Sequence, residues 1–298
     1  MSKANETTKK WREAYQHVSG PVKIPMTNDY LFKAFLQENK KALTGLISAL
    51  LHLPRGKVRR VRVENPIVLG ERADEKTVIL DLNVTFNDDS RINLELQVVN
   101  EDNWAERSVY YTCRNFTDLN KGDVYENIRP LYQIGIVDFT LFSDQPVFYA
   151  TYDLRNIENG QLYTDKFSIG VLDLTKIGLA TEEDKKYNID KWAALFKAKT
   201  WEEVKMIAKQ DKAIGEAAYT IYKISEDERI RQECEARERY LLKEKAAKKK
   251  ERAYKKTKKE NEKLKQQLEQ ANGKLEQANG EVEKLKKEIE MLRSKLKE

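Results

Sequence analysis

Apolar positions recur in two different rhythms along the first three quarters of the chain. From Asp29, the residues Phe32, Phe35 and Leu36, then Leu43, Leu46, Ile47, Leu50 and Leu51, return at spacings of three and four. That spacing predicts two amphipathic helices over 28–38 and 40–52, the second closed by Pro54. Residues 1–24 read as polar and run into Gly20-Pro21 and Pro25, which predicts a polar N-terminal arm or linker. Short β-rich runs follow at 58–64, 77–86 and 91–99, then a helix through 103–120. Strand-like runs at 131–142, 147–153 and 168–174 and helices at 190–198, 201–209 and 211–223 complete a mixed body. The predicted fold class is α/β, a mixed sheet flanked by helices over residues 25–225.

The third rhythm belongs to the tail. From Asp227 there is no proline, and Lys, Glu, Arg, Gln, Leu and Ala dominate, which predicts one long helix. Within it Leu264, Leu268, Ala271, Leu275, Ala278, Val282, Leu285, Ile289, Leu292 and Leu296 alternate by four and three. This is a coiled-coil repeat over 264–298 with Leu268, Leu275, Val282, Ile289 and Leu296 at a and Leu264, Ala271, Ala278, Leu285 and Leu292 at d. β-branched residues at a over Leu at d, with Glu281 facing Lys286 and Glu288 facing Arg293 across the seam, predict a parallel homodimer. Two alanines at d and the outward Gly273 and Gly280 weaken the middle of the repeat, and a solvated single helix is the alternative.

Charge separates the same regions. Residues 1–225 hold as many Lys/Arg as Asp/Glu, so the tail carries the whole net charge of +6. Between body and coil, in a connector over 226–263, the stretch 236–259 has twelve Lys/Arg against three Asp/Glu. Lys248, Lys249, Lys250, Arg252, Lys255, Lys256, Lys258 and Lys259 are its densest part, suited to a phosphate backbone through counterion release and equally to a solvated connector. No apolar run is long enough for a bilayer span and the N-terminus has no apolar signal segment, which predicts a cytoplasmic protein. Only two histidines, His17 and His52, and two distant cysteines, Cys113 and Cys234, are available. A multi-histidine zinc site and a serine–histidine relay are therefore poorly served, and carboxylates must carry any chemistry.

They are found in residues 78–100. Val78, Leu80, Leu82, Val84 and Phe86 share one strand face opposite Asp81 and Asn83; Ile92, Leu94, Leu96 and Val98 share another opposite Asn93, Glu95 and Gln97. The connector Asn87-Asp88-Asp89-Ser90 predicts a hairpin whose paired residue numbers sum to 176 or 178, placing Asp81 across from Glu95 or Gln97. Two carboxylates held close repel unless one is protonated or a cation lies between them. The pair points to a hard divalent metal, Mg2+ with Mn2+ as a substitute, although a half-exposed sheet with a polar outer face would alternate in the same way.

Asp81, followed after thirteen residues by Glu95-Leu96-Gln97, resembles the PD-(D/E)XK nuclease core in the version with Gln in place of the final Lys. Around it, Asn28-Asp29-Tyr30-Leu31-Phe32-Lys33, Leu80-Asp81-Leu82-Asn83-Val84, Arg107-Ser108-Val109-Tyr110-Tyr111, Lys121-Gly122-Asp123-Val124-Tyr125 and the strand at 131–142 resemble, in order, the Rpn family of recombination-promoting nucleases, also called PD-(D/E)XK nuclease family transposases. Trp192, Phe196, Ser225-Glu226-Asp227-Glu228-Arg229 and Cys234-Glu235-Ala236-Arg237 fit the same family, so the resemblance covers about residues 25–240.

The resemblance implies a magnesium-dependent DNA endonuclease. Asp81 and Glu95 would ligate the metal with the Leu96 carbonyl, and Gln97 would orient water or the scissile phosphate. Asp29 is a further candidate, or simply a first-turn helix acid. Arg107, Tyr111 and Arg114 share a helical face, for which phosphate contact, by Arg107 first and Arg114 as a further candidate, stands against an ordinary amphipathic helix surface. A Gln at position 97 supplies no positive charge beside a nucleophile, which puts more of the catalytic demand on the metal. The rival reading is a noncatalytic DNA-binding scaffold dimerised by the coil, and the hairpin does not distinguish DNA from RNA.

Overall fold

The computed structural model describes residues 3–67, 81–87, 89–116 and 124–295. The chain divides into two compact units, residues 1–244 and 245–298. In the first, α1 (Lys3–His17), α2 (Asp29–Glu38) and α3 (Lys40–Leu50) precede strands β1 (Val61–Val63), β2 (Leu82–Phe86) and β3 (Ser90–Gln97). Helix α4 (Trp104–Phe116) follows, then β4 (Leu131–Val137), β5 (Tyr149–Tyr152) and β6 (Phe167–Asp173). Helices α5 (Glu182–Lys186), α6 (Ile189–Lys197), α7 (Trp201–Ala208) and α8 (Lys212–Ser225) come next, and α9 (Glu228–Lys295) begins in this unit.

The six strands form one mixed sheet in the order β1-β2-β3-β4-β6-β5. The β1-β2-β3 end is antiparallel, β3, β4 and β6 are parallel, and β5 runs antiparallel to β6. One face carries Ile92, Leu94 and Leu96 of β3, Ile134 and Ile136 of β4 and Leu172 of β6 into the main core, where they meet Phe32, Phe35, Leu46, Trp192, Phe196 and Ile221 from the helices. The other face is covered by α4, whose Trp104 packs with Val137 and Val171. Gly135 makes that approach possible: a Cβ there would lie 2.0 Å from Trp104 Cζ2.

The helix starts follow side-chain chemistry. Asn28 caps α2 by accepting from Leu31 N, and Asn39 caps α3 by accepting from Lys41 N and Ala42 N. Asn28 also donates through Nδ2 to the Cys234 carbonyl at 2.8 Å, tying α2 to the first turns of α9. Cys234 is fully buried, and burial pushes its thiol up to about 12.

The N-terminal segment departs from the polar arm read in the sequence. It is a helix, and Trp11 and Tyr15 pack edge to face on Tyr222 and Trp201. Trp11, Ala14, Tyr15 and Val18 recur at helical spacing and provide an apolar stripe within an otherwise charged segment. Pro21 bridges to Thr200, so the linker is also tied down. Helix α5 went unpredicted because five residues show no period; its start is a capping box between Thr181 and Asp184. The run at 131–142 yields a strand only to Val137, and the early part of the 77–86 run lies outside the described residues, as do Lys121-Gly122-Asp123 and Leu296.

In the second unit, α9 is helical throughout its described length. Leu264, Leu268, Leu275, Val282, Leu285, Ile289 and Leu292 are between 49% and 62% exposed, an apolar row without cover in the single chain. No helix among the described residues is long and apolar enough to cross a membrane.

Candidate functional site

The hairpin adopts the register whose paired numbers sum to 176, with Leu82 opposite Leu94 and Asn83 opposite Asn93. Asp81, one step before β2, therefore leads into the pairing at the level of Glu95. Across β3 on the other side, Glu95 pairs with Gly135 and Gln97 with Val137. The polar face is not half exposed as simple alternation suggested. Asn93, Glu95 and Gln97 are all buried; on this face α4 lies over β4 and β6, and its Arg107 reaches across to Glu95. Buried carboxylates need partners, and this pattern removes solvent as the reason for the alternation.

Helix α4 supplies a cation. Arg107 Nη2 stands 2.7 Å from Glu95 Oε1, and its Nη1 reaches Glu101 Oε2 at 3.4 Å. Its guanidinium lies 5.7 Å from the Tyr111 ring centre, so Tyr111 braces Arg107 from the next turn of the helix. Arg107 Nε is buried with no hydrogen-bond partner among the described residues. Arg114, at the far end of the same helix, is exposed.

Helix α2 supplies a second cation that the sequence reading passed over. Lys33 is 2% exposed, and its Nζ donates to the Asp81 carbonyl at 2.8 Å. Burial lowers its pKa, with the Asp81 charge pulling the other way. The sequence held no local signal for it: on a helix read as amphipathic a lysine faces water, and only the burial of Tyr30 to Leu36 places it inside. The Asp81 carbonyl also accepts from Asn65 Nδ2 at 3.0 Å, while Asn65 Oδ1 takes Asn83 N at 2.9 Å. The backbone of Asp81 is thus fixed from both sides, leaving its side chain to the site.

The two carboxyls are raised. Burial pushes Glu95 up to about 7 despite the pull of Arg107, with Asp81, Glu101 and Asp29 adding repulsion. Asp81 also lies above the ordinary range, again through burial, opposed by Lys33. This mutual effect places Asp81, Glu95, Glu101 and Asp29 in one electrostatic neighbourhood.

Asp29 does not join the pair as a free ligand. Its carboxylate is held by Arg237 of α9, with Nε at 3.0 and 2.9 Å from the two oxygens and Nη2 at 2.8 Å. It also accepts from Tyr30 N at 3.0 Å. Gln97 donates to the Val99 carbonyl at 3.0 Å, and the Leu96 side chain lies in the main core on the opposite face. The structure thus brings Asp81, Glu95 and Arg107 together, with Lys33 and Glu101 beside them. It commits Asp29 elsewhere. Lys248 to Lys259 belong to the second unit.

Asp81 and Glu95 supply the oxygen donors a hard divalent cation prefers, and a guanidinium already stands against one of them as a monovalent counter-charge. The chemistry of the donor set therefore fits Mg2+. Among the described residues, no three His, Cys, Asp or Glu side chains are grouped to hold an ion, so carbonyl and water ligands would complete the set.

A family model described as PD-(D/E)XK nuclease family transposase matches residues 26–251. No curated protein and no solved structure matches the chain.

Proposed function

The chain belongs to the PD-(D/E)XK nuclease family transposases, and on that premise we propose that it is a Mg2+-dependent DNA endonuclease working at Asp81 and Glu95. The observation that carries the reading is the buried Glu95 carboxyl, raised to about 7, beside Asp81 and under Arg107. Such a perturbed acidic pair suits cation binding. Asp81, Glu95 and the Leu96 carbonyl would hold the metal. When bound, it would polarise a phosphoryl oxygen and lower the pKa of a water molecule.

The chain's own groups have distinct parts. Arg107 balances Glu95 in the free protein and, once released from it, offers a planar fork to the scissile phosphate. Its Nε, without a hydrogen-bond partner among the described residues, gives that fork a further donor. Gln97, turned from Val99, orients water or phosphate but adds no charge. Lys33 offsets this by placing an ammonium beside Asp81 from another element, and it fixes the backbone of that residue as well. Tyr111 holds the Arg107 rotamer.

DNA would be retained by Arg114 and by the basic stretch Lys248, Lys249, Lys250, Arg252, Lys255, Lys256, Lys258 and Lys259. The exposed seam from Leu264 to Leu292 supports a parallel homodimer, which would present two sites and raise effective affinity. Recombination or transposition is the setting that the family suggests.

The test is cleavage of supercoiled plasmid by the purified protein with Mg2+, Mn2+, Ca2+ or EDTA, beside Asp81→Ala, with oligomeric state read by light scattering. Nicking that requires Mg2+ or Mn2+ and vanishes in the variant supports the reading. A noncatalytic DNA-binding scaffold dimerised by the coil is the second reading, favoured by the Arg107 guanidinium already seated on Glu95. Retained DNA binding without cleavage by either protein would select it.

A further inference from the structure

The helical layer contains a cavity of about 700 Å³ that shares no lining residue with the Asp81–Glu95 site. It lies among the beginnings of α3 and α8, the segment after α3, and the α5–α6 turn. Six cationic side chains line it: Lys40, Lys41, Arg55, Arg59, Lys186 and Lys212. The lining has only two acids, Asp211 and Glu216, which leaves an excess of positive charge.

Both acids are already engaged. Asp211 caps α8 through Ala213 N and Ile214 N, accepts from Asn188 Nδ2 at 3.1 Å and pairs with Arg55. The Arg55 guanidinium is thereby fixed at the cavity while most of it stays exposed. Glu216 lies between Lys41 at 3.7 Å and Arg12 at 4.0 Å. Lys40 and Lys212 occupy the first turns of two helices, where the helix dipoles add to their charge. The caps take the next amides of both helices, so the side chains rather than bare helix ends make this an anion site.

Leu53, Pro54, Tyr187 and Trp192 give part of the lining an apolar and aromatic character, beside the polar Thr44, Ser48 and Asn188. Gly45 keeps the α3–α8 contact close, since a Cβ there would lie 2.3 Å from Ala213 Cβ. A concave site of this size with an apolar wall and a few convergent charges is built for a small molecule and not for a duplex. Its chemistry asks for one ligand part that is planar and apolar and another that carries several negative charges. We propose that this cavity binds a nucleoside phosphate, the base against Tyr187 and Leu53 and the phosphates among Lys40, Lys41 and Lys212.

The experiment is calorimetric titration of the full-length protein in EDTA with adenosine and guanosine mono- and triphosphates, with the parent nucleosides and inorganic phosphate as separate probes. A nucleotide should bind with Kd below about 100 µM and raise the melting temperature, while the nucleoside and phosphate bind at least tenfold more weakly. Lys40→Glu with Lys212→Glu should weaken the nucleotide at least tenfold, and Arg59→Glu at its exposed position gives a second variant if the first fails to fold. Asp81→Ala should bind as the parent does, which separates this site from the nuclease reading. Absence of nucleotide binding by the parent protein, binding unchanged in the folded charge variants, or phosphate binding as tightly as nucleotide would overturn the proposal. So would displacement of nucleotide by duplex DNA, which would make the cationic surface part of a DNA path.

Discussion

Strand β3 presents two faces that are equally hidden from solvent and opposite in chemistry. On one, Ile92, Leu94 and Leu96 enter the main core; on the other, Asn93, Glu95 and Gln97 are buried, with Glu95 reached by Arg107 of α4. Burial on the first face stabilises the fold through apolar area removed from water, about 25 cal/mol per Å². Burial on the second raises the free energy of a carboxylate, and Arg107 offsets only part of that cost. One strand thus anchors the sheet with its even positions and stores an electrostatic tension with its odd ones. The lesson is that a buried polar stripe on a strand is a stronger pointer to a site than polarity alone, because the fold must compensate it.

Four changes test that division. The largest effect is expected for Glu95→Gln, which keeps the shape of the side chain: plasmid cleavage under the proposed chemistry should fall by at least about 10²–10³-fold. Equal cleavage by variant and parent would remove Glu95 from the reaction. On the opposite face, Leu94→Ala should cost about 2–5 kcal/mol, read as a lowered denaturant midpoint. A loss of activity at unchanged midpoint would mean that the faces are not separate.

The third concerns pH. Because the folded-state pKa of Glu95 is raised from 4.5 to about 7, the metal-free folded protein binds the extra proton in that interval. Stability should fall as pH rises from 4.5 to about 7, by roughly 3 kcal/mol at most from this group. Glu95→Gln should flatten that part of the profile in chemical denaturation at each pH; an unaltered slope would assign it to other groups. The smallest effect is expected for Gly135→Ala. Its Cβ would meet Trp104, and overpacking of this kind costs about 1–3 kcal/mol. Since Gly135 neighbours Glu95 in the sheet, the α4 shift should also weaken the Arg107 contact, seen as a changed pH profile of cleavage.

Local pattern made much of this readable. The turn between the strands and the matching of apolar faces confined Asp81 to two registers, and the observed one is among them. The sheet and helices around it followed from periodicity, and the family from an ordered set of short motifs. What escaped depended on partners distant in sequence. Lys33 reads as a surface lysine until its helix is seen to be buried on every side, and the reach of Arg107 from α4 to Glu95 has no local signature. The Asp29–Arg237 pair spans 208 residues, so an acid that looked available for metal is a structural anchor. Trp11 and Tyr15 were masked by the charged residues between them.

That same anchor has a consequence during synthesis. Helix α2 leaves the ribosome early, but the partners of Asn28 and Asp29, the Cys234 carbonyl and Arg237, lie 206 and 208 residues later. At about 5–20 residues per second, the N-terminus of α2 waits roughly 10–40 s for its final contacts. During that interval its buried-to-be carboxylate and apolar face need another cover. The first unit is therefore a domain in which its second helix waits for one of its last partners, and a nascent chain halted before residue 237 would carry Asp29 without its counter-charge.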